Sequence, residues 1–191
     1  LERADWSGFE QRRLEAQRRG LLRGIGLCTY LEVTAPPGKE MGGIRFDAKG
    51  GVTIVTGTLD YGQGHAAPFA QVLADRLGIP FERIDLLQGD SDQLLVGGGT
   101  GGSRSIMASG EAIHAASAKV IEQGKRLAAE RLEAAEADIL FEDGAFKVAG
   151  TDRAVALVDL AMEQPEAMSA SLAVDTPPSA FPNGAHVAEV E

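Results

Sequence analysis

Two glycine-rich stretches of this chain each lead directly into a predicted helix. The first is Tyr61-Gly62-Gln63-Gly64-His65, and the second is Thr100-Gly101-Gly102-Ser103-Arg104-Ser105. A helix N-terminus exposes unpaired N–H groups and a partial positive charge, so a glycine loop at that point suits an anion such as phosphate. The two stretches therefore predict an anion-binding site.

The first stretch combines backbone freedom with two polar side chains. Gly62 and Gly64 allow the backbone to approach a ligand closely. Gln63 can donate and accept hydrogen bonds through its amide, and His65 can present an imidazole N–H at the start of the helix. These four residues are candidates for contact with a bound anion.

The second stretch adds a hydroxyl at Ser103 and a guanidinium fork at Arg104, both of which suit phosphate oxygens. Neither stretch matches GxxxxGK[ST] or GxGxxG, so a nucleoside-triphosphate P-loop and a Rossmann dinucleotide site are poorly supported. The alternative is that each loop is only a turn that caps its helix.

The residues give little support to metal-dependent or nucleophilic catalysis. The three histidines, His65, His114 and His186, lack the close spacing of a helix-borne metal pair, and no GxSxG nucleophile motif occurs. The lone Cys28 excludes an internal disulfide and any all-cysteine zinc or iron–sulfur site within this chain. Its surroundings predict a small buried residue in a strand.

Composition excludes several classes of partner. A formal net charge of -10 over 191 residues argues against a nucleic-acid or anionic-membrane surface, which requires clustered Lys and Arg. No apolar run approaches the roughly 20 residues needed to span a bilayer, and residues 1–20 are charged throughout rather than signal-like. A soluble, cytoplasmic protein is expected. The chain starts at Leu1 and stops within a strand pattern, so we expect a fragment of a longer protein.

Hydrophobic patterns divide the chain into strands and helices. Residues 1–20 predict a polar helical lead-in, and the strand that follows ends at Pro36-Pro37-Gly38. The further predictions are a hairpin turning at residues 48–51, a helix over 65–77, a strand in 83–90, a long helix over about 105–135, a hairpin turning at 143–144, a strand or helix in 154–162, and a terminal strand over 186–190.

The long helix has Ile106, Ile113, Val120 and Leu127 at intervals of seven, beside many small residues. This composition favours a core helix over a coiled-coil partner. Strand pairs alternating with helices predict an α+β fold with helices packed on a mixed sheet of hairpin strands. The expected segments are a polar lead-in over 1–22, an α+β domain over 23–136 and a smaller second lobe over 137–191.

Five segments in order resemble one family. They are RRGLLRGIGLCTYLE, GTLDYGQGHAAPFAQVLADRLGIP, IDLLQGDSD, GGGTGGSRS and FPNGAHVAEVE. In order and spacing, the chain resembles the molybdopterin-binding large subunit of the xanthine dehydrogenase, aldehyde oxidase and carbon monoxide dehydrogenase family. The resemblance covers nearly the whole chain and implies a molybdenum cofactor-binding fold.

The resemblance also implies which residues hold the cofactor. In that family the two loops bind molybdopterin cytosine dinucleotide, whose pyrophosphate agrees with the anion site expected from the residues. It implies that cofactor-binding residues stand on both sides of the ligand. They are Gly62, Gln63, Gly64 and His65 on one side and Gly102, Ser103, Arg104 and Ser105 on the other.

Enzymes of that family oxidise aldehydes, N-heterocycles or carbon monoxide at molybdenum with oxygen from water, and pass electrons to iron–sulfur and FAD-binding partners. Their general base is a Glu in a Gly-x-Gly-Glu segment, which does not occur in these residues. The resemblance therefore implies no catalytic residue and no direct metal ligand here. This portion is expected to be inactive without the remainder of its large subunit.

Several points stay open. Ala66, Ala67 and Pro68 stand where the family pattern leads one to expect a polar residue, and residues 35–40 form an ordinary loop that could contact substrate. The substrate is therefore undetermined, as is the presence of copper beside molybdenum, although the resemblance leans toward the carbon monoxide dehydrogenase group. Two alternatives are a non-catalytic binding or assembly module and a generic nucleotide-binding domain.

Overall fold

The computed structural model describes residues 1–34 and 38–191. In chain order the helices are α1 (Phe9–Arg18), α2 (Ala66–Leu77), α3 (Ser105–Arg131), α4 (Leu157–Glu163) and α5 (Pro165–Met168). The strands are β1 (Gly24–Leu31), β2 (Lys39–Phe46), β3 (Val52–Thr56), β4 (Ile84–Gln88), β5 (Ile139–Glu142), β6 (Ala145–Val148), β7 (Ala154–Ala156), β8 (Ala170–Asp175) and β9 (Asn183–Val190).

Contacts divide the chain into two compact units. The first unit is Leu1–Val33 with Ala180–Glu191, and the second is Thr34–Ser179. This grouping differs from the expected segments 1–22, 23–136 and 137–191, which stay a prediction of domain organisation. None of the helices in the described residues is long and apolar enough to cross a membrane.

In the first unit, β1 and β9 form a two-stranded antiparallel ribbon, with Gly24 opposite Val190 and Leu31 opposite Asn183. The terminal strand predicted over 186–190 is thus confirmed and begins three residues earlier. Cys28 was expected to be buried, but it is exposed on β1. The reason is that among the described residues β1 pairs only with β9, so this ribbon provides no second layer to cover the thiol.

The second unit is built on a four-stranded mixed sheet in the order β4-β3-β2-β8. Strands β2 and β3 form the predicted hairpin, in which Asp47 accepts the N–H groups of Lys49 and Gly51 and Gly50 has φ 82°. The pairs β2–β3 and β2–β8 are antiparallel, and β3–β4 is parallel. The expected mixed sheet is therefore confirmed.

Helix α2 connects β3 to β4 and covers the sheet. Its apolar residues Phe69, Leu73 and Leu77 recur every four positions, and all three are fully buried. Gly78 ends the helix with φ 64° and donates its N–H to the Ala74 carbonyl, as sequence periodicity predicts. Burial of a side chain such as Phe69 contributes about 1.5–3 kcal/mol to folding.

Helix α3 packs against the same unit through small residues. Of the predicted seven-residue repeat, Ile113 and Val120 are fully buried and Leu127 is partly buried against the core, so the core-helix prediction holds except at Ile106, which is 51% exposed. The small sheet β5-β6-β7 follows it, with the predicted turn at Asp143–Gly144, and residues 154–162 form both strand β7 and most of α4. The α+β fold of packed helices on a mixed sheet is confirmed.

Residues 35–40 were expected to form a loop, but the last two of them belong to a strand. Residues 35–37, including the predicted stop at Pro36-Pro37, lie outside the described residues. Lys39 and Glu40 already belong to β2 and pair with Asp175 and Val174 of β8. The charged pair Lys39-Glu40, with two glycines close behind it at 42 and 43, gives no strand signal in the sequence, but pairing with β8 extends the strand to include it.

Candidate functional site

Both glycine loops leave the same edge of the main sheet. Strands β3 and β4 are parallel neighbours, with Thr56 opposite Gln88 at their carboxyl ends. The chain passes from β3 into residues 57–65, which we call the first loop, and then into α2. After β4 it reaches residues 97–104, the second loop, and then α3. In open α/β sheets the carboxyl ends of parallel strands are the usual place for a ligand.

Hydrogen bonds join the two loops directly. Gly99 donates its N–H to the Gly57 carbonyl at 3.0 Å, and Leu59 donates to Thr100 Oγ1 at 3.1 Å. A Cβ built on Gly57 would overlap the Cα of Gly97, so the backbones can meet at this point only as glycines. The two loops are thus joined where they leave the sheet, at residues 57–59 of the first loop and 97–100 of the second.

The first loop is organised around the carboxylate of Asp60. It accepts the N–H groups of Gly62 at 2.7 Å, Gly64 at 3.2 Å and His65 at 2.6 Å. These donors, chiefly the N–H groups of Gly62 and His65, lower the pKa of Asp60. Gln63 Oε1 accepts the N–H of Tyr61. The N–H groups expected to receive a ligand anion are therefore already bonded to a carboxylate of the loop itself.

The side chain of His65 lies inside the unit rather than projecting from the start of α2. It is 5% exposed, its ring stacks on Phe69 at a centroid distance of 5.1 Å, and Nδ1 lies 3.2 Å from Gln88 Nε2. The imidazole expected at the start of α2 is thus buried there, packed on Phe69 one turn later. A cofactor contact by His65 stays a prediction.

Buried hydroxyl groups at the start of the first loop form a hydrogen-bond network with β4 and α3. Thr58 Oγ1 lies 3.0 Å from Thr56 Oγ1 and 3.2 Å from Ser109 Oγ of α3, and Gln88 Nε2 donates to Thr58 at 2.7 Å. The threonines and Ser109 are fully buried. Because buried polar groups rarely break such bonds, this network fixes the end of β3 against α3.

The second loop carries the more open helix N-terminus. Within the described residues no side chain caps either α2 or α3, but the Asp60 carboxylate bonds the N–H of His65 directly before α2 and so places a negative charge there. Gly99, Gly102 and Ser103 all have positive φ, at 66°, 61° and 51°. The first turn of α3 is therefore the better placed of the two for an anion.

Arg104 occupies an unexpected position. Its side chain is 11% exposed, and Nη2 lies 4.0 Å from Oε2 of the fully buried Glu40. Burial raises the pKa of Glu40, while N–H donation by Met41 and Gly57 and the charge of Arg104 oppose this effect. The guanidinium expected to face phosphate oxygens thus faces a carboxylate at the start of β2.

Sequence reasoning missed three residues that shape this site: Glu40, Asp60 and Gln88. For Asp60 a signal was present, because an Asp two residues before a glycine commonly accepts the glycine N–H. No local signal identifies Glu40 or Gln88, since their partners lie 17 to 64 positions away in the chain.

The site is thus an α+β unit with two joined glycine loops at the carboxyl ends of parallel strands. The chain belongs to the molybdopterin cofactor-binding domain family, which it matches over residues 1–191. This confirms the resemblance found in its motifs.

Individual relatives support the same family assignment. The nicotine 6-hydroxylase large subunit of Paenarthrobacter nicotinovorans is 33% identical over 214 aligned positions, covering 100% of this chain and 26% of that protein. The carbon monoxide dehydrogenase large chain of Hydrogenophaga pseudoflava is 36% identical over 158 residues, covering 77% of this chain and 20% of that protein.

Among solved structures, a Cu,Mo-CO dehydrogenase in its carbon monoxide reduced state matches with a TM-score of 0.80 at 27% sequence identity. The match covers 98% of this chain and 27% of that chain. The chain is thus homologous to large subunits of molybdenum-dependent oxidoreductases and spans about a quarter of their length or less.

The residues of this site are compatible with an anionic, nucleotide-bearing ligand. A Cβ built on Gly62, Gly64, Gly99 or Gly101 would meet no described atom within 4 Å, so a ligand can approach the backbone of both loops. The first turn of α3, which follows Gly99 and Gly101 in the chain, supplies positive potential.

Proposed function

We propose that this chain is the cofactor-binding portion of the large subunit of a molybdenum hydroxylase, and that its two loops hold molybdopterin cytosine dinucleotide. The observation that carries the proposal is the joining of the loops by the Gly99–Gly57 and Leu59–Thr100 hydrogen bonds. A single ligand can then contact both loops at once. Membership of the molybdopterin cofactor-binding domain family supports the same assignment.

The two loops take different parts of the ligand in this proposal. The second loop and the first turn of α3 receive the pyrophosphate, through the backbone of residues 102–105 and the Ser103 hydroxyl. The first loop, residues 62–65, contacts neutral parts of the ligand, because the Asp60 carboxylate both occupies its N–H groups and repels phosphate.

When bound, the cofactor supplies molybdenum redox chemistry, in which an aldehyde, an N-heterocycle or carbon monoxide is oxidised with oxygen from water. The contribution of this chain is to bind and orient the cofactor on a rigid edge of the sheet. No Gly-x-Gly-Glu segment occurs in the 191 residues, so no general base is assigned to this chain. Iron–sulfur and FAD-binding partners and the remainder of the large subunit complete the enzyme in this proposal.

The substitution Gly64→Asp tests the proposal in the native protein that contains this chain. Gly64 has φ 74° and open space around its Cβ position, so the side chain fits, but it adds a negative charge on the ligand side. We expect molybdenum and releasable cytidine monophosphate per subunit to fall about tenfold or more. The metal is measured by mass spectrometry and the nucleotide by chromatography after acid hydrolysis.

Gly150→Asp is the matched control. Gly150 also has φ 74° with no described atom within 4 Å of a Cβ, but it lies in the turn between β6 and β7. Its backbone strain is the same, so equal losses in both variants would trace the effect to folding. Full metal and nucleotide content in Gly64→Asp, with a normal circular dichroism spectrum, would rule out the first loop as a cofactor contact.

A further inference from the structure

Glu40 is a fully buried carboxylate placed between the two loops. One of its oxygens, Oε1, accepts the N–H groups of Met41 and Gly57, each at 2.8 Å. Gly57 is the first residue of the first loop, and its carbonyl in turn accepts the N–H of Gly99 in the second loop. A single carboxylate oxygen therefore fixes the residue at which the loops meet.

The second oxygen of Glu40 faces Arg104 without a hydrogen bond. Oε2 lies 4.0 Å from Arg104 Nη2 and, like Arg104 Nε, is buried with no hydrogen-bond partner in residues 1–34 and 38–191. The charge of Arg104 is thus the electrostatic partner of a carboxylate that has lost its hydration. An unpaired charge at such a depth is strongly unfavourable.

Arg104 also lies against Gly98 of the second loop and against Gly38, which directly precedes β2. A Cβ built on Gly98 would lie 2.5 Å from Nη1, and one built on Gly38 would lie 3.7 Å from Nη2. The guanidinium therefore fills the space beside the second loop immediately before α3 begins. Moving it out to grip a phosphate would empty this space and leave Glu40 without its counter-charge.

We infer that Glu40 and Arg104 are positioning residues, which form a buried charge pair that holds the two loops in register for the phosphate-bearing ligand. In this arrangement Arg104 acts through Glu40 and through the backbone of the second loop, and its guanidinium does not bind the phosphate. The inference rests on the proposed function, because the two loops must share one cofactor for their register to matter.

The test is a double-substitution cycle in the native protein: Glu40→Gln, Arg104→Gln and the two combined. The amide introduced by Glu40→Gln keeps an acceptor for the Gly57 N–H but removes the charge. Each single variant leaves one buried charge unpaired, so we expect cytidine monophosphate content per subunit to fall about tenfold, and the double variant to recover to within about threefold of wild type. Melting temperature, measured in parallel, separates lost cofactor from lost fold.

Arg104→Lys keeps the inference testable if a glutamine variant fails to fold. Lysine keeps the charge facing Glu40 but cannot form a planar fork, so cofactor content should stay near the wild-type level if the charge pair matters and should fall if the guanidinium binds phosphate in a bidentate manner. The exposed α3 pair Lys119–Glu122, 3.0 Å apart, gives a matched control cycle in which no change is expected.

The outcomes are distinct. Normal cofactor content in Glu40→Gln, with an equally depleted Arg104→Gln and double variant, would show that Arg104 binds phosphate itself and would overturn the inference. Independent, multiplying losses would overturn it as well. A wild-type protein without any pterin nucleotide would refute the proposed function, and the positioning role with it, even if the melting temperatures were coupled.

Discussion

Asp60 shows how a single residue can decide what a loop binds. Its carboxylate is exposed, yet it accepts three backbone N–H groups and shapes the turn around Gly62 and Gly64. A glycine loop that contains its own anion is organised before any ligand arrives, which lowers the entropy lost on binding. It also leaves fewer N–H donors for phosphate in the first loop, so in our proposal the second loop binds the phosphate groups.

Substitution of Ser103 tests whether the second loop binds the phosphate groups of the ligand. It has φ 51°, a conformation that costs a non-glycine residue about 1–2 kcal/mol. Ser103→Gly should relieve part of this strain and raise the stability of the region by about 0.5–1 kcal/mol. Because the hydroxyl is lost, it should also reduce the cytidine monophosphate retained by the native protein. Hydrogen exchange around the start of α3 and nucleotide analysis measure the two effects.

Glu133→Gly separates the backbone effect from the hydroxyl effect. Glu133 is exposed beyond the end of α3 and has φ 48°, close to that of Ser103. We expect a similar gain in local stability and unchanged cofactor content. Retention of the nucleotide by Ser103→Gly at wild-type level would remove the Ser103 hydroxyl from the proposed contacts.

The residues of the site differ in how far the sequence alone could predict them. The glycines of both loops were predictable, because glycines directly before an apolar helical repeat indicate a tight turn that needs their backbone freedom. The direction of the His65 and Arg104 side chains was not, since each turns toward a partner brought near only by the tertiary fold, Gln88 and Glu40 respectively.

At the scale of elements, α3 packs tightly because it is rich in small residues. A Cβ built on Gly42 of β2 would overlap the Ala112 carbonyl, and one built on Gly124 of α3 would overlap the Phe146 ring. The helix that begins at the second loop is therefore held against both β2 and β6. Its N-terminus is a rigid part of the site rather than a free end.

Replacing two glycines of α3 by alanine should change the free energy of unfolding in opposite directions. Gly124→Ala inserts a methyl group into the buried Phe146 ring, an overpacking cost of about 1–3 kcal/mol that exceeds the gain of about 1 kcal/mol in helix propensity. Gly110→Ala meets only Ile106 Cδ1 at 3.5 Å, an ordinary contact, so it should stabilise by about 0.5–1 kcal/mol. Native-state hydrogen exchange of α3 measures both changes.

The sign of each change decides the result. Equal stabilisation by both alanines would mean that Phe146 moves aside without cost and that α3 is loosely packed on β6. Destabilisation by Gly110→Ala would mean that this face of the helix is covered by something other than the described residues.

Elements defined by local pattern were predictable, and those defined by distant partners were less so. The hairpin turning at residues 48–51 and helix α2 followed from glycine turns and a four-residue apolar spacing. The parallel pairing of β3 with β4, which creates the site, depends on α2 returning the chain to the same sheet. The exposure of Cys28 depends on how many layers surround β1, which its local sequence does not contain.

At the scale of the whole molecule, ion pairs hold together the first unit, Leu1–Val33 with Ala180–Glu191. Arg12 of α1 and Arg23 beside β1 both bond the carboxylate of Glu189 on β9, at 2.7–2.9 Å. Most of the exposed large apolar side chains of the described residues lie in this smaller unit. With little apolar burial, its two chain segments depend on these charges more than the second unit does.

This dependence predicts an acid-sensitive first unit. The hydrogen bond from Arg12 and that from Arg23 lower the pKa of Glu189 from 4.5 to about 2. Since the folded-state pKa is the lower one, the stabilisation is complete above about pH 4.5 and is lost progressively as the pH falls toward 2. Amides of α1, β1 and β9 should lose protection from hydrogen exchange over this range, after correction for intrinsic exchange rates.

Glu189→Gln removes the titrating group and so tests directly whether the charge of Glu189 causes the acid sensitivity. The variant should show weaker protection of α1 and β9 at neutral pH, and the difference from wild type should shrink as the pH falls toward 2, where about half of the wild-type Glu189 is protonated in the folded protein. Glu122→Gln, on the exposed Lys119 pair of α3, should leave the first unit unchanged at every pH. A difference between wild type and Glu189→Gln that persists undiminished at pH 2 would mean that glutamine disturbs the packing of β9, and that the charge of Glu189 is not what ties α1 to the ribbon.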